Sequence, residues 1–101
     1  MTGHIVIWKY TVKPGKHGAF EKLYGPDGDW VKWFKTSSHY QSTELIKSTS
    51  SDSEYVTIDR WDSKQAYDRF YQDGKDRFEE IDEIGDSLTE EETLLGSFTE
   101  T

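Results

Sequence analysis

Ile5-Val6-Ile7-Trp8-Lys9-Tyr10-Thr11-Val12 is the stretch on which the fold turns. It is β-branched and aromatic almost throughout, so it reads as a strand. Side chains alternate across a strand. Ile5 and Ile7 therefore fill one face, and Val6, Trp8, Tyr10 and Val12 fill the other. A strand that is apolar on both faces belongs in the middle of a sheet covered on both sides.

The rest of the chain supplies that sheet and one of its covers. Lys13-Pro14-Gly15-Lys16 stops the strand, and a helix follows with Phe20, Leu23 and Tyr24 at i, i+3 and i+4. Gly25-Pro26-Asp27-Gly28 interrupts it. Asp29 is expected to cap a second helical piece carrying Trp30, Trp33 and Phe34. Residues 40–47 read as a second strand. The polar turn at residues 48–53 leads to a third, Tyr55-Val56-Thr57-Ile58-Asp59-Arg60-Trp61. Asp62 or Ser63 then caps a helix through Ala66, Tyr67, Phe70 and Tyr71. Gly74 breaks it, and Phe78 and Ile81 carry a further helical piece that Gly85 ends. The last strand lies within residues 91–98.

The order is β-α-β-β-α-β. An internal echo supports it: His17-Gly18-Ala19-Phe20-Glu21-Lys22-Leu23-Tyr24 aligns in chemical type with Lys64-Gln65-Ala66-Tyr67-Asp68-Arg69-Phe70-Tyr71. A duplicated βαβ unit gives the α+β, ferredoxin-like class with a four-stranded antiparallel sheet. The 101 residues are expected to form a single domain.

Both helical layers of such a fold lie on one face of the sheet. The opposite face should then be polar at every second position, but both faces of the first strand are apolar, and in the third Val56 and Ile58 alternate with Tyr55, Thr57 and Trp61. A second copy of the same face would cover it, which predicts a homodimer closing an α/β barrel.

Composition narrows the partners. The net charge is −8, so nucleic acid and anionic membrane surfaces are not expected partners. There is no Cys, which excludes disulfides, thiolate catalysis and Cys-based zinc sites and fits a cytoplasmic location. No apolar run approaches the ~20 residues of a membrane span, and residues 1–10 do not read as a signal peptide.

The opening Val6-Ile7-Trp8-Lys9-Tyr10-Thr11-Val12-Lys13-Pro14-Gly15, the helix Phe20-Glu21-Lys22-Leu23-Tyr24 and above all Ile58-Asp59-Arg60-Trp61-Asp62-Ser63-Lys64-Gln65-Ala66-Tyr67 resemble the antibiotic-biosynthesis-monooxygenase-like proteins of the dimeric α/β barrel superfamily. The resemblance implies that barrel, together with cofactor-independent monooxygenation of an aromatic or polycyclic small molecule. The superfamily also holds heme-degrading oxygenases. Their Asn, Trp and His would fall near Trp8, Phe70 and Glu80, and none matches, so heme degradation is disfavoured. A non-catalytic ligand-binding protein, or an isomerase, lyase or dehydratase on the same scaffold, stays open at this level.

Candidate chemistry is sparse. His4, His17 and His39 match no metal-binding spacing, and no metal or other cofactor is expected. His39, just before the second strand, is a candidate general base. Asp59, on a central strand, is the other candidate. It either lines a pocket, where burial would raise its pKa, or satisfies itself against Lys9 or Arg60. Trp8, Tyr10, Trp33, Phe34, Trp61 and Tyr67 are expected to wall an aromatic pocket, with a plain packed core as the alternative. The runs Glu79-Glu80 and Glu90-Glu91-Glu92 read as solvated faces.

Overall fold

The computed structural model describes residues 3–101. β1 (His4–Val12), β2 (Tyr40–Lys47), β3 (Glu54–Trp61) and β4 (Thr89–Thr99) make one antiparallel sheet in the order β2-β3-β1-β4. α1 (His17–Tyr24) and α2 (Asp29–Phe34) connect β1 to β2. α3 (Lys64–Asp73) and α4 (Lys75–Asp86) connect β3 to β4. This is the expected ferredoxin-like α+β arrangement, with β1 and β3 at the centre.

Alternation sorts the two faces. Val6, Tyr10 and Val12 of β1 and Tyr55, Thr57, Asp59 and Trp61 of β3 are buried beneath the helices. Ile5, Ile7, Val56 and Ile58 point the other way and are only half-buried. Ile7 pairs directly with Ile58. That register places odd residues of β1 on the same face as even residues of β3. Lys9 therefore cannot meet Asp59. It lies opposite Val56 on the outer face and pairs with Glu54 at 2.9 Å. Arg60 is also on the outer face, 3.9 Å from Glu44.

The helix ends follow local chemistry. Ser63 caps α3, its Oγ accepting from the Ala66 N–H at 3.1 Å, a contact worth about 1 kcal/mol. Asp29 does not cap α2 but is its first residue; Gly28 holds the cap position. A Cβ at Gly28 would stand 2.1 Å from the Leu23 carbonyl oxygen, so the tight turn between α1 and α2 admits no side chain there. α4 runs one residue past Gly85, which is buried under Tyr24.

Aromatic rings make the core. Trp61 is fully buried among Phe34, Tyr40, Tyr67 and Phe70, at ring-centroid distances of 5.1–5.6 Å. Such contacts contribute roughly 0.5–1.5 kcal/mol each beyond area burial. They pack α2 and α3 over the end of β3, which is also what shapes the site. Among the described residues, no helix is long and apolar enough to cross a membrane.

Candidate functional site

Beside that packed end, sheet and helices part around a cavity of about 280 Å³. This is near the lower end of small-molecule pockets, which run from roughly 300 Å³ upward. The sheet supplies Trp8 and Tyr10 from β1, Thr43 from β2, Thr57 and Asp59 from β3, and Glu92 from β4. The helices supply Tyr24, Trp30, Phe34, Tyr67, Tyr71, Phe78 and Asp82. The pairs Trp30/Phe34 and Tyr67/Tyr71 are each one helical turn apart, which turns both members of a pair to the same side.

Asp59 is the chemical centre. Thr43 faces it directly across β2 and β3, and the Thr43 hydroxyl donates to Asp59 Oδ1 at 2.6 Å. Tyr40 donates in turn to Thr43 Oγ1 at 2.7 Å. The carboxyl is only 8% exposed. Burial pushes its pKa from 3.8 up to about 6, against the opposing pull of the Thr43 hydroxyl. A carboxylate so placed is ionised at neutral pH but more basic than an exposed one, as a general base requires.

Phenols surround it. Burial pushes Tyr67 up to about 12 and Tyr10 and Tyr71 well above their ordinary value, with the Asp59 charge adding to each shift. All three stay protonated at neutral pH, with the Tyr71 hydroxyl set against that of Tyr67. Tyr67 and Tyr71 lie with ring centroids 4.6 Å apart. The cavity can therefore accept a proton at one carboxylate and hold an oxyanion at several hydroxyls, in surroundings walled by rings.

Of the residues singled out in the sequence, Asp59, Trp8, Tyr10, Phe34 and Tyr67 share this cavity. Trp33 and Trp61 lie outside the lining. Trp33 packs on Phe70 at 4.6 Å and against Gly74, and Trp61 is enclosed behind Phe34 and Tyr67. His39 lies elsewhere, in a surface groove with Ser63, Gln65 and Arg69. Its side chain is 59% exposed, and Nδ1 lies 3.3 Å from the Asp62 carboxylate. Nothing local in the sequence marks Thr43, Thr57, Asp82 or Glu92 for the pocket, and Tyr24, Trp30, Tyr71 and Phe78, which also line it, read there only as helix-face aromatics. Glu92 belongs to a run read as solvated, yet it pairs with Tyr10 and faces the cavity at its rim.

Residues 3–81 match the family described as antibiotic biosynthesis monooxygenase. Among curated proteins no sequence matches the chain. Among solved structures the chain is similar to SnoaB, a cofactor-independent oxygenase from Streptomyces nogalater, at 19% identity and a TM-score of 0.78, covering 100% of this chain and 95% of that one. A mutant form of SnoaB gives a TM-score of 0.80 at 18% identity, with 97% and 92% covered. A conserved protein from Methanosarcina mazei aligns at 16% identity over 97% of this chain and 92% of its own, with a TM-score of 0.78. At these identities the likeness is one of fold.

Proposed function

The chain belongs to the antibiotic biosynthesis monooxygenase family, and from that premise we propose that it is a homodimeric, cofactor-independent monooxygenase of a small fused-ring phenol or ketone, with Asp59 as its base. The observation that carries this reading is the buried Asp59 carboxylate, raised to about 6, inside a cavity walled by aromatic rings. The cofactor-independent oxygenase of similar fold supports the reaction class. The dimer rests on the apolar outer face of β1 and β3, with Ile46 and Phe98 exposed beside it.

The chemistry balances without an added reductant. Take a substrate with a CH2 group between two aryl rings, activated by a ring oxygen. Asp59 takes one proton, and the negative charge moves onto the substrate oxygen, where the Tyr67 and Tyr71 hydroxyls donate to it. The anion passes electrons to dioxygen, a C–O bond forms, and the Asp59 proton returns to the distal peroxide oxygen. Asp59 then takes the second carbon-bound proton as the O–O bond breaks, and water leaves. The carbon gives up four electrons and dioxygen accepts four. One oxygen atom ends in the new carbonyl and the other in water. The proton is exchanged locally, so the cavity gains no net charge as the substrate anion forms. Trp8, Trp30 and Phe34 exclude water from the anion.

Oxygen uptake with a panel of anthrones and hydroquinones, corrected for spontaneous oxidation, tests the proposal. With an accepted substrate, kcat/KM is expected to fall about tenfold per pH unit below about 6, and to level off above it, as the base titrates. No uptake above background across the panel, or a flat profile between pH 5 and 7, would overturn it. Tight binding without uptake would instead favour a ligand-binding protein.

A further inference from the structure

The end of the cavity away from the Tyr40-Thr43-Asp59 relay has a different character. α4 carries Asp82 and Asp86 one turn apart, on either side of Gly85, and β4 brings Glu92 across to them. Carboxylate oxygens of the three lie within 4.8 Å of one another. Tyr24 reaches the same place from α1. It is 4% exposed, and the one polar group set against its buried hydroxyl is the Trp30 indole N–H, which lies outside good hydrogen-bond geometry. That hydroxyl sits so close to α4 that a Cβ at Gly85 would stand 2.3 Å from it.

Three carboxyl groups and no basic side chain therefore line the cavity: Asp59, Asp82 and Glu92. We infer that the natural ligand of this cavity carries a protonated amine, seated against Asp82, Glu92 and the Tyr24 hydroxyl. The inference rests on the small-molecule pocket proposed above and narrows its substrate class. An alkylammonium presents three N–H donors. Here they find three acceptors: the half-buried Asp82, the exposed Glu92 at the cavity rim, and a lone pair of Tyr24 left over from its approach to Trp30. Burial and the neighbouring acidic groups push Asp82 and Glu92 upward, which fits a cluster short of its countercharge.

The surroundings favour an organic cation over a metal ion. A hard divalent cation wants six or more oxygen ligands. Much of this end is instead ring surface: Trp30 lies 5.7 Å from Phe78 and 6.0 Å from Tyr24 between centroids. Ring faces attract an ammonium but do not ligate a metal. The ligand's own rings would then extend toward Trp8, Phe34 and Asp59.

The test uses three probes that share one ring system: naphthalen-2-ylmethylammonium, naphthalen-2-ylmethanol and 2-naphthoate. Calorimetric titration into the full chain is expected to rank them in that order, with the ammonium at least ~10-fold tighter than the alcohol. Glu92→Gln and, separately, Asp82→Asn should shrink that preference while leaving the affinity for the alcohol unchanged. Equal binding of ammonium and alcohol would overturn the inference and leave the pocket reading standing. Binding of no probe would overturn both. Displacement of the ammonium probe by equimolar calcium, magnesium or manganese would assign the cluster to a metal instead.

Discussion

Asp59→Asn is expected to silence oxygen uptake and, in the same protein, to raise stability at neutral pH. The two effects share one cause. Loss of a positioned base costs about 10²- to 10⁴-fold in rate. The stability effect follows from the raised carboxyl. Asp59 titrates near 6 when folded and near 3.8 as a model group. Between those values the folded state holds a proton that the unfolded state has released. Stability is therefore lost as pH rises through that window, by about 1.4 kcal/mol per unit. At pH 7.5 the accumulated penalty approaches about 3 kcal/mol. An amide carries no such penalty, and its Oδ1 still accepts from Thr43, whose hydroxyl lies 2.6 Å from the native Oδ1. Urea unfolding at pH 7.5 should show Asp59→Asn more stable than the native protein by up to about 3 kcal/mol, with the gap closing toward pH 4. A variant that is inactive and also destabilised at pH 7.5 would make Asp59 a structural residue. A variant that keeps its activity would remove it from the mechanism.

Ile58→Glu is expected to split the proposed dimer. Ile58 pairs with Ile7 in the middle of the outer face, where the two-fold axis of the proposed dimer would bring like residues together. Each copy would contribute a carboxylate between Ile7 and Glu44, the two residues that face Ile58 across the sheet, so the new charge meets an apolar side chain on one side and a like charge on the other. Burying an unpaired charge costs about 3–5 kcal/mol, enough to weaken association at least ~100-fold. Light scattering at micromolar concentration should report twice the 11.8 kDa chain mass for the native protein and 11.8 kDa for the variant. Lys32→Glu, on the exposed side of α2, should leave the dimer intact. A native particle of 11.8 kDa would contradict the covered-face argument outright.

Which features were legible in the sequence depended on whether their information is local. The apolar parity of β1 is local, and it marks that strand as central with apolar side chains on both faces. The repeated helix pattern and the Ser63 cap are local too. Residue partners across strands are not. Opposite charges on two central strands suggest Lys9 as a partner for Asp59, but the β1–β3 register turns them to opposite faces. Thr43 meets Asp59 only through the β2–β3 register, which shifts near Tyr40 and Ser42. No feature of Thr43's own neighbourhood announces that contact. Glu92 looks like its neighbours Glu90 and Glu91 in sequence, and only pairing with Tyr10 turns it toward the cavity. The aromatic residues divided in the same way. Trp30 and Phe34 reach the cavity while Trp33, between them in sequence, points to α3. Helical spacing marks all three as buried but does not say which side of the helix meets a void. His39 stands out in the sequence as an imidazole next to a strand, and the structure places it exposed beside Asp62, outside the cavity that holds Asp59.

The most direct test follows the oxygen atoms. With an anthrone-type substrate that the protein accepts, turnover under 18O2 in metal- and flavin-free buffer should consume one dioxygen per product and place a single heavy atom in the new carbonyl. Reduced cofactors should not change the rate. Label arriving from H2 18O instead, or turnover only after a flavin, metal or reductant is supplied, would contradict the account.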